Sequence, residues 1–454
     1  MNLNPMPVKK HSHPFLFRLF ATSILLSLVL TACDPFLGLP FQQMPQKHAT
    51  ATAKPSDISA TEAVVDGSTT LTPSPTPDGV NELVIWVPPL MDPEADTPEA
   101  ALLKQRLLDF ESEHPGVTVI VRVKARSGQS GLMESLISTA TVAPLATPSL
   151  ILLGRKDLEV AAKRGLILPM DDYSTVINDL DWFQYARAMA IIGESTFGLP
   201  FAGNALVMAY RETEFDEEPD SWEQINSLQK TVYFSAGNTY PAFPLALYLS
   251  LGGSLRGDTG QPNLDVEKLT TILTILAEGR RAGVFPSTLI ELTDPAMIWD
   301  AYKAGTTNAA VIWANYYLAD QPEDTNIIPL ISLTDYDFTI ADGWMIGLAD
   351  PLPERRALAV ELAEYLVDVR FVAAWNQEAG YLPMREAAFA LWEDSTLVET
   401  LSLVSYSARM DSSTELMDTI SPVMVEAVNL VLGQGEEPET AAAVAVEKLN
   451  AVKE

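Results

Sequence analysis

Short apolar runs alternate with amphipathic stretches through the first part of the foldable chain. The runs Glu82–Val87, Val117–Val123 and Ser149–Leu153 are nearly continuous in apolar side chains, which predicts three buried strands. Between the first two, residues 97–113 place apolar side chains at helical spacing and begin with a Thr-Pro start signal. Strands and helices that alternate in this way predict crossover units on a parallel sheet, covered by helices on both faces.

A different pattern begins at Thr196–Arg211, where a Gly/Pro turn runs directly into an apolar strand without an intervening helix. Asp342–Leu348 has a similar arrangement, and we interpret both segments as crossings from one lobe to another. Two further apolar runs, Asn308–Trp313 and Asn326–Leu330, lie between them and predict strands, while the remaining stretches are predominantly helical to the C-terminus. The pattern therefore predicts an α/β protein with more than one lobe.

The N-terminal segment has the features of a secretory signal. Three basic residues precede an apolar run over residues 19–30, which is shorter than the roughly 20 apolar residues of a spanning helix. The run ends in Leu-Thr-Ala-Cys at positions 30–33, which resembles the bacterial lipobox. The resemblance implies a signal peptide over residues 1–32 and a lipid attached to Cys33; an ordinary signal followed by a leftover cysteine is the alternative.

The composition after the signal narrows the classes of function. Residues 33–79 are rich in Pro, Thr, Ser and Ala without apolar periodicity, which predicts a disordered tether. The formal charge of −31 argues against nucleic acid and against a polybasic membrane contact, so the membrane link is expected to be covalent. Cys33 is the single cysteine, and His114 is the only histidine in the foldable region. We therefore expect no metal site, no cofactor and no internal disulfide.

Seven segments, in order, resemble the extracellular solute-binding proteins of ABC importers, in the group similar to maltose-binding protein. The resemblance extends from Leu83 to the C-terminus. The matching segments are Trp86 at the end of the first strand, Phe110–Val119, Lys163–Asp172, Gly198–Tyr210, Pro219–Glu223, Gly252 with Gly253, and Gly380–Pro383. Three segments depart from the family pattern and leave the identity of the ligand open: Pro148–Leu150, Asn315–Tyr317 and Asp342–Gly343.

The resemblance implies a two-lobe periplasmic-binding-protein-like fold that closes over a ligand cleft and presents a joint surface to a membrane permease, which an ATPase partner drives. The predicted hinge residues are Gly198, Gly203 and Gly343. The predicted lobes are residues 80–200 with 342–385 for the N-terminal lobe, and residues 201–341 with 386–454 for the C-terminal lobe.

Sugars present CH faces and hydroxyl groups, so their sites combine aromatic rings with side chains that form hydrogen bonds. Residues of these types stand at the crossings and at strand ends. The candidate ligand-binding residues are Trp86, Asn204, Tyr240, Trp313, Asn315, Tyr316, Tyr317, Asp342, Trp344, Tyr381 and Arg385.

Other functions remain open from the residues alone. A pair of acidic residues could serve an exported carbohydrate hydrolase, and the fold could also serve a sensor or adhesin lipoprotein. Ser227 and Lys230 match Ser-x-x-Lys without its companion motifs. The favoured prediction is a non-enzymatic, lipid-anchored binding subunit on the outer face of the cytoplasmic membrane. Its expected ligand is a mono- or oligosaccharide, although peptides, polyamines and glycerol-phosphate-type solutes are not excluded.

Overall fold

The computed structural model describes residues 81–410 and 413–452 of the chain. The predicted signal peptide, the lipid attachment at Cys33 and the predicted tether lie outside these residues and stay predictions. The described part is a mixed α/β structure built around a nine-stranded sheet, with a separate two-stranded sheet beside it. The predicted α/β fold class is confirmed.

The strands of the described residues include two that are much longer than the others. In chain order the strands are β1 (Glu82–Val87), β2 (Thr118–Val123), β3 (Leu150–Gly154), β4 (Ile191–Ile192), β5 (Ser195–Thr196), β6 (Gly198–Arg211), β7 (Val232–Tyr233), β8 (Ala309–Trp313), β9 (Thr325–Pro329), β10 (Thr339–Leu348) and β11 (Ala408–Arg409).

The helices cover the sheet on both faces. In chain order they are α1 (Pro98–Glu113), α2 (Leu132–Val142), α3 (Arg155–Lys163), α4 (Gln184–Ala190), α5 (Trp222–Leu228), α6 (Ala242–Ser250), α7 (Val266–Ala282), α8 (Pro295–Lys303), α9 (Ala314–Asp320), α10 (Pro353–Leu366), α11 (Val369–Ala379), α12 (Glu386–Phe389), α13 (Ser395–Ser407), α14 (Thr414–Asn429) and α15 (Pro438–Val452).

Helix boundaries follow from capping residues that the sequence makes visible. The Thr97 side chain accepts a hydrogen bond from the Ala100 N–H, and Pro98 occupies the first position of α1, where its missing N–H costs nothing. The Asp265 carboxylate caps α7 in the same way, and α7 ends at Gly283, whose φ of 81° favours glycine. Local capping chemistry therefore sets the ends of these two helices.

The sheet changes from parallel to antiparallel where the chain crosses between lobes. β2, β1 and β3 are parallel neighbours, as the alternating pattern predicts. β10 then pairs antiparallel with β3 and with β6, so the full order is β2-β1-β3-β10-β6-β8-β7, with β9 also paired to β6 and β11 to β10. The predicted parallel arrangement thus holds for β2, β1 and β3, whereas β10 runs antiparallel to β3 on one side and to β6 on the other.

The long strands β6 and β10 link the two halves of the sheet. Residues 198–205 of β6 pair with β10, whereas residues 206–211 lie between β8 and β9. Residues 344–348 of β10 pair with β3 of the first half. Both crossings are therefore held by backbone hydrogen bonds along their whole length, which fixes the side chains that they carry.

Two hydrophobic clusters pack against this sheet. The first includes Leu83, Phe110 and Trp375, and also the inner faces of α8 and α13. The second is formed largely by α5, α6, α7, α14 and α15 and includes Phe285 and Met424. Residues 414–434 are long and apolar enough to cross a membrane, but about half of that stretch is buried within the second cluster, as in the core helix of a globular protein.

Candidate ligand-binding cleft

The floor of the cleft is the antiparallel pair of crossing strands. Asn204 on β6 lies opposite Asp342 on β10, and Gly203 lies opposite Gly343. The register shifts between Trp344 and the residue after it, which marks a bulge at this point. Bulges turn side chains to a new direction, and the side chains on either side of this one point to different environments.

The predicted hinge glycines are needed here for close packing. A Cβ on Gly343 would lie 2.8 Å from the Ala202 carbonyl oxygen, and one on Gly198 would lie 2.9 Å from the Met345 Cβ. A Cβ on Gly203 would meet the Tyr185 hydroxyl. These three glycines are not among those with positive φ, so steric space and not left-handed backbone explains them. Their role as hinges stays a prediction.

An inner cavity of about 260 Å³ lies above this floor. It contains most of the residues that the sequence singles out, brought together from β6, β8 with α9, β10 and the segment after α11. The predicted residues that line it are Asn204, Trp313, Asn315, Tyr316, Asp342, Gly343, Trp344 and Tyr381. The predicted residues therefore place four aromatic rings, two amides and the Asp342 carboxylate around one cavity.

Two asparagines join the floor of the inner cavity to its wall. The Asn204 Nδ2 donates to the Asn315 Oδ1 at 2.7 Å, and the Asn315 backbone N–H donates back to the Asn204 Oδ1 at 3.2 Å. The Asn204 Oδ1 also accepts from the Ala205 N–H. This reciprocal contact fixes the orientation of both amides and ties the start of α9 to β6.

Asp342 is the carboxylate at the centre of the cleft. Burial raises the pKa of Asp342, while the Gly343 N–H, which donates to its Oδ1 at 2.8 Å, and the Arg126 guanidinium act in the opposite direction. Arg126 lies over the Trp344 ring, with 5.3 Å from the guanidinium carbon to the ring centroid. Burial also raises the pKa of Tyr381, and its hydrogen bond with Trp344 opposes that effect. The inner cavity thus offers both donors and acceptors beside flat aromatic faces.

An outer cavity of about 490 Å³ adjoins the inner one, because Trp313 and Asp342 line both. Tyr240 is the third predicted residue that lines it. The charged part of its wall comes from the N-terminal half of α3, which includes Arg155, and from the first turns of α14. The two cavities form a single cleft whose outer part is more charged than its inner part.

Three predicted residues lie outside both cavities, and each has a structural explanation. Trp86 is only 2% exposed within β1 and packs in the first hydrophobic cluster. Tyr317 is half-buried on α9 and packs against the same cluster. Arg385 is buried, donates to Asp179 and Asp181 at 2.7 Å each, and therefore holds a loop in place. Strand-end position alone did not distinguish such residues from those that face the cleft.

Sequence reasoning missed several residues that line the cleft. Arg126 follows the end of β2, and Arg155 with Lys156 begins α3 directly after β3. Because parallel strands direct their carboxyl ends toward the ligand side of an open α/β sheet, their positions carried a usable signal. Asp294 also lines the inner cavity while capping α8, and nothing in its local sequence marked it.

The described residues contain no group of three or more His, Cys, Asp or Glu side chains arranged to hold a metal ion. His114, the one histidine among them, ends α1 as predicted and stacks on Phe110 with 4.0 Å between ring centroids.

Comparison with solved structures gives the fold a context. MalE3 from T. maritima with bound maltose has a TM-score of 0.65 at 15% identity, covering 82% of this chain and 99% of that one. The sugar-binding protein MalE from Xanthomonas citri has a TM-score of 0.68 at 16% identity, covering 82% and 98%. The ABC substrate-binding protein Lmo0181 from Listeria monocytogenes, in complex with cycloalternan, has a TM-score of 0.62 at 14% identity, covering 82% and 98%. At these identities the likeness is one of fold, and it confirms the predicted two-lobe architecture.

Comparison with sequences gives the family. A search of curated proteins found no match. The family model described as "Bacterial extracellular solute-binding protein" matches residues 105–400, which is more than half of the chain and includes β3, both crossing strands and most of the inner cavity. The chain therefore belongs to the family of bacterial extracellular solute-binding proteins.

Proposed function

We propose that this protein is the solute-binding subunit of an ABC importer and that it captures a mono- or oligosaccharide in the cleft between its lobes. The observation that carries the proposal is the composition of the inner cavity. Trp313, Tyr316, Trp344 and Tyr381 offer ring faces for sugar CH groups, and Asp342 offers acceptor oxygens for hydroxyl groups. Such a site binds without any chemical step, and we propose no catalysis.

The charges of the inner cavity favour a neutral solute over an anionic one. Its two carboxylates, Asp342 and Asp294, outnumber its one cationic side chain, Arg126. A phosphate or carboxylate in the inner cavity would meet these carboxylates, whereas hydroxyl groups can donate hydrogen bonds to them. The maltose and cycloalternan named with the structural neighbours are neutral sugars of this kind.

Binding is proposed to close the lobes about the two crossings. The lobes are residues 80–200 with 342–385 and residues 201–341 with 386–454, and the hinge lies near Gly198, Gly203 and Gly343. A closed pair of lobes would present a joint surface to the permease, which releases the solute into its channel. A change of a few backbone angles in the crossings is sufficient for such a motion.

The membrane link is proposed to be the lipid on Cys33, which holds the protein on the outer face of the cytoplasmic membrane, whether at the cell surface or in a periplasm. A tether over residues 33–79 would leave the lobes free to reach the permease. Replacing Cys33 with Ala should release the protein from the membrane fraction, as measured by fractionation and immunoblotting. Retention of the Cys33→Ala protein in that fraction would contradict the anchor.

A titration of purified protein with sugars tests the central proposal. Maltose, maltotriose, trehalose, glucose and mannotriose would be titrated in a calorimeter, with spermidine, a tripeptide and glycerol 3-phosphate as the other solute classes. We expect one-to-one binding of at least one sugar, with the sugar recovered unchanged. Binding of only a non-sugar solute would overturn the sugar assignment while preserving the receptor role, and conversion of a sugar would indicate an enzyme.

A further inference from the structure

Helix α3 of the first lobe and helix α14 of the second lobe meet across the outer cavity. The Lys156 Nζ lies 2.8 Å from the Asp418 Oδ1. One helical turn further along α3, the Glu159 Oε2 accepts hydrogen bonds from the Thr414 N–H at 3.2 Å and from the Thr414 hydroxyl at 3.3 Å. All four of these residues line the outer cavity. Two separate contacts therefore join α3 to α14 along the wall of the outer cavity.

Glu159 supplies the cap that α14 lacks locally. Ser413 precedes α14, but its side chain makes no capping hydrogen bond, whereas Glu159 binds the free N–H of the first residue of that helix. The Glu159 side chain is only 5% exposed and also contacts Lys163 at 2.7 Å and Arg155 at 3.3 Å. Although burial acts to raise it, the pKa of Glu159 is lowered by Lys163, Thr414 and Arg155. A buried carboxylate with these partners is a built contact between lobes and not a chance surface pair.

We propose that α3 and α14 form a bridge that closes one end of the outer cavity and so limits the length of the solute that the cleft accepts. The inference rests on the proposed function and adds a specificity determinant to it. A gap of 2.8 Å between Lys156 and Asp418 leaves no room for a sugar ring, so a chain that extends beyond this end must break the bridge. Short solutes that fit within the two cavities keep it.

Three variants of the full chain test the bridge. They are the single charge reversals Lys156→Asp and Asp418→Lys, and the double variant that carries both and so exchanges the two charges, here called the swap. Both side chains are largely exposed, at 66% and 61%, so the variants are expected to fold. The matched control is the same set of reversals at Glu94 and Lys104, an exposed ion pair at 2.7 Å within the first lobe. Hydrogen exchange of residues 413–421 without ligand reports on the bridge, and titration with maltose, maltotetraose and maltoheptaose reports on solute length.

The expected result is several-fold faster exchange at the start of α14 in each single variant and recovery in the swap, with no change in the control set. The ratio of the affinity for maltoheptaose to the affinity for maltose should rise several-fold in the single variants and should return to the wild-type ratio in the swap. Unchanged exchange in the single variants would overturn the bridge, and an unchanged affinity ratio would overturn its role in solute length. If none of these three sugars binds, the limit on solute length is overturned for the maltose series and the exchange measurement alone decides whether the bridge exists, whereas the sugar assignment is decided separately by the titration with the wider set of solutes.

Discussion

The inner and outer cavities share Trp313 and Asp342 but are built in different ways. The inner cavity takes most of its rings and amides and its Asp342 carboxylate from the crossing strands and from the end of β8 with the start of α9, so sheet hydrogen bonds hold much of its shape. The outer cavity is bordered by α3 and α14, which are joined there by the exposed Lys156–Asp418 ion pair. The two proposals above divide along this difference: solute recognition is assigned to the inner cavity, and the limit on solute length is assigned to the outer one.

The largest effect should come from removing an aromatic ring of the inner cavity. Trp344 is 7% exposed, so Trp344→Ala removes a buried side chain and should lower the free energy of unfolding by about 3–5 kcal/mol. The gentler Trp344→Phe should weaken sugar binding by about 1–3 kcal/mol while the protein remains folded. Chemical denaturation measures the stability loss, and titration with a sugar that binds the wild type measures the affinity loss.

Trp86 provides the matched control, because it is equally buried but lies outside the cleft. Trp86→Ala should also lose about 3–5 kcal/mol of stability, and Trp86→Phe should leave the affinity unchanged. If both Phe variants weakened binding equally, the affinity loss would reflect general loosening of the first lobe, and the assignment of Trp344 to the site would be wrong.

The next effect in size concerns Asp342. Asp342→Asn keeps the shape of the side chain but replaces a charged acceptor, so a sugar hydroxyl bonded to it should bind about 1.5–3 kcal/mol more weakly. The measurement is a titration of the wild type and of Asp342→Asn with the same sugar. Asp294→Asn, which changes the other carboxylate of the inner cavity, is titrated for comparison. Unchanged affinity in Asp342→Asn would remove the central carboxylate from the proposed site.

The raised pKa of Asp342 also predicts how the stability of the wild type and of Asp342→Asn depends on pH. The pKa of Asp342 is raised in the folded state by burial, so the folded form holds its proton to a higher pH than the unfolded chain does. The contribution of Asp342 to the free energy of unfolding therefore falls as pH rises from its ordinary pKa to its raised pKa. Above the raised pKa, the buried charge of Asp342 destabilises the folded protein. Asp342→Asn should be more stable than wild type at neutral pH, with the difference shrinking as pH falls. A difference of the opposite sign in denaturation at two pH values would contradict this account.

The smallest effect should be that of salt on the outer cavity. Exposed ion pairs contribute about 0.2–1 kcal/mol and are screened at high ionic strength. Raising the salt concentration should therefore speed hydrogen exchange at the start of α14 and leave the exchange of β6 and β10 unchanged. Equal acceleration in both regions would mean that the two cavities are not held in different ways.

Much of the fold followed from local patterns, because apolar periodicity and capping residues act within a few positions of one another. The start of α1 at Pro98 and the three parallel strands are examples. The inner cavity was also largely predictable, since Trp344 and Asp342 stand on a crossing that the pattern marks. Trp86 shows the limit of that reasoning: a strand residue faces either cleft or core, and only its neighbours decide which.

The α3–α14 wall of the outer cavity was not predictable from the sequence. Glu159 and Thr414 are 255 positions apart, and neither carries a local signal of its partner. Glu159 looks like a solvated residue on a polar helix face, yet its side chain is buried and its carboxylate caps the start of α14. Contacts of this kind depend on how two lobes meet, which periodicity along one chain segment does not contain.

Small-angle scattering of the protein with and without its sugar tests whether two lobes close over a solute held in the cleft. A sugar found by titration should decrease the radius of gyration of the wild type, and Asp342→Asn should need a higher sugar concentration for the same decrease. Scattering curves that stay identical at saturating sugar, with binding confirmed in the same sample, would contradict closure over the solute.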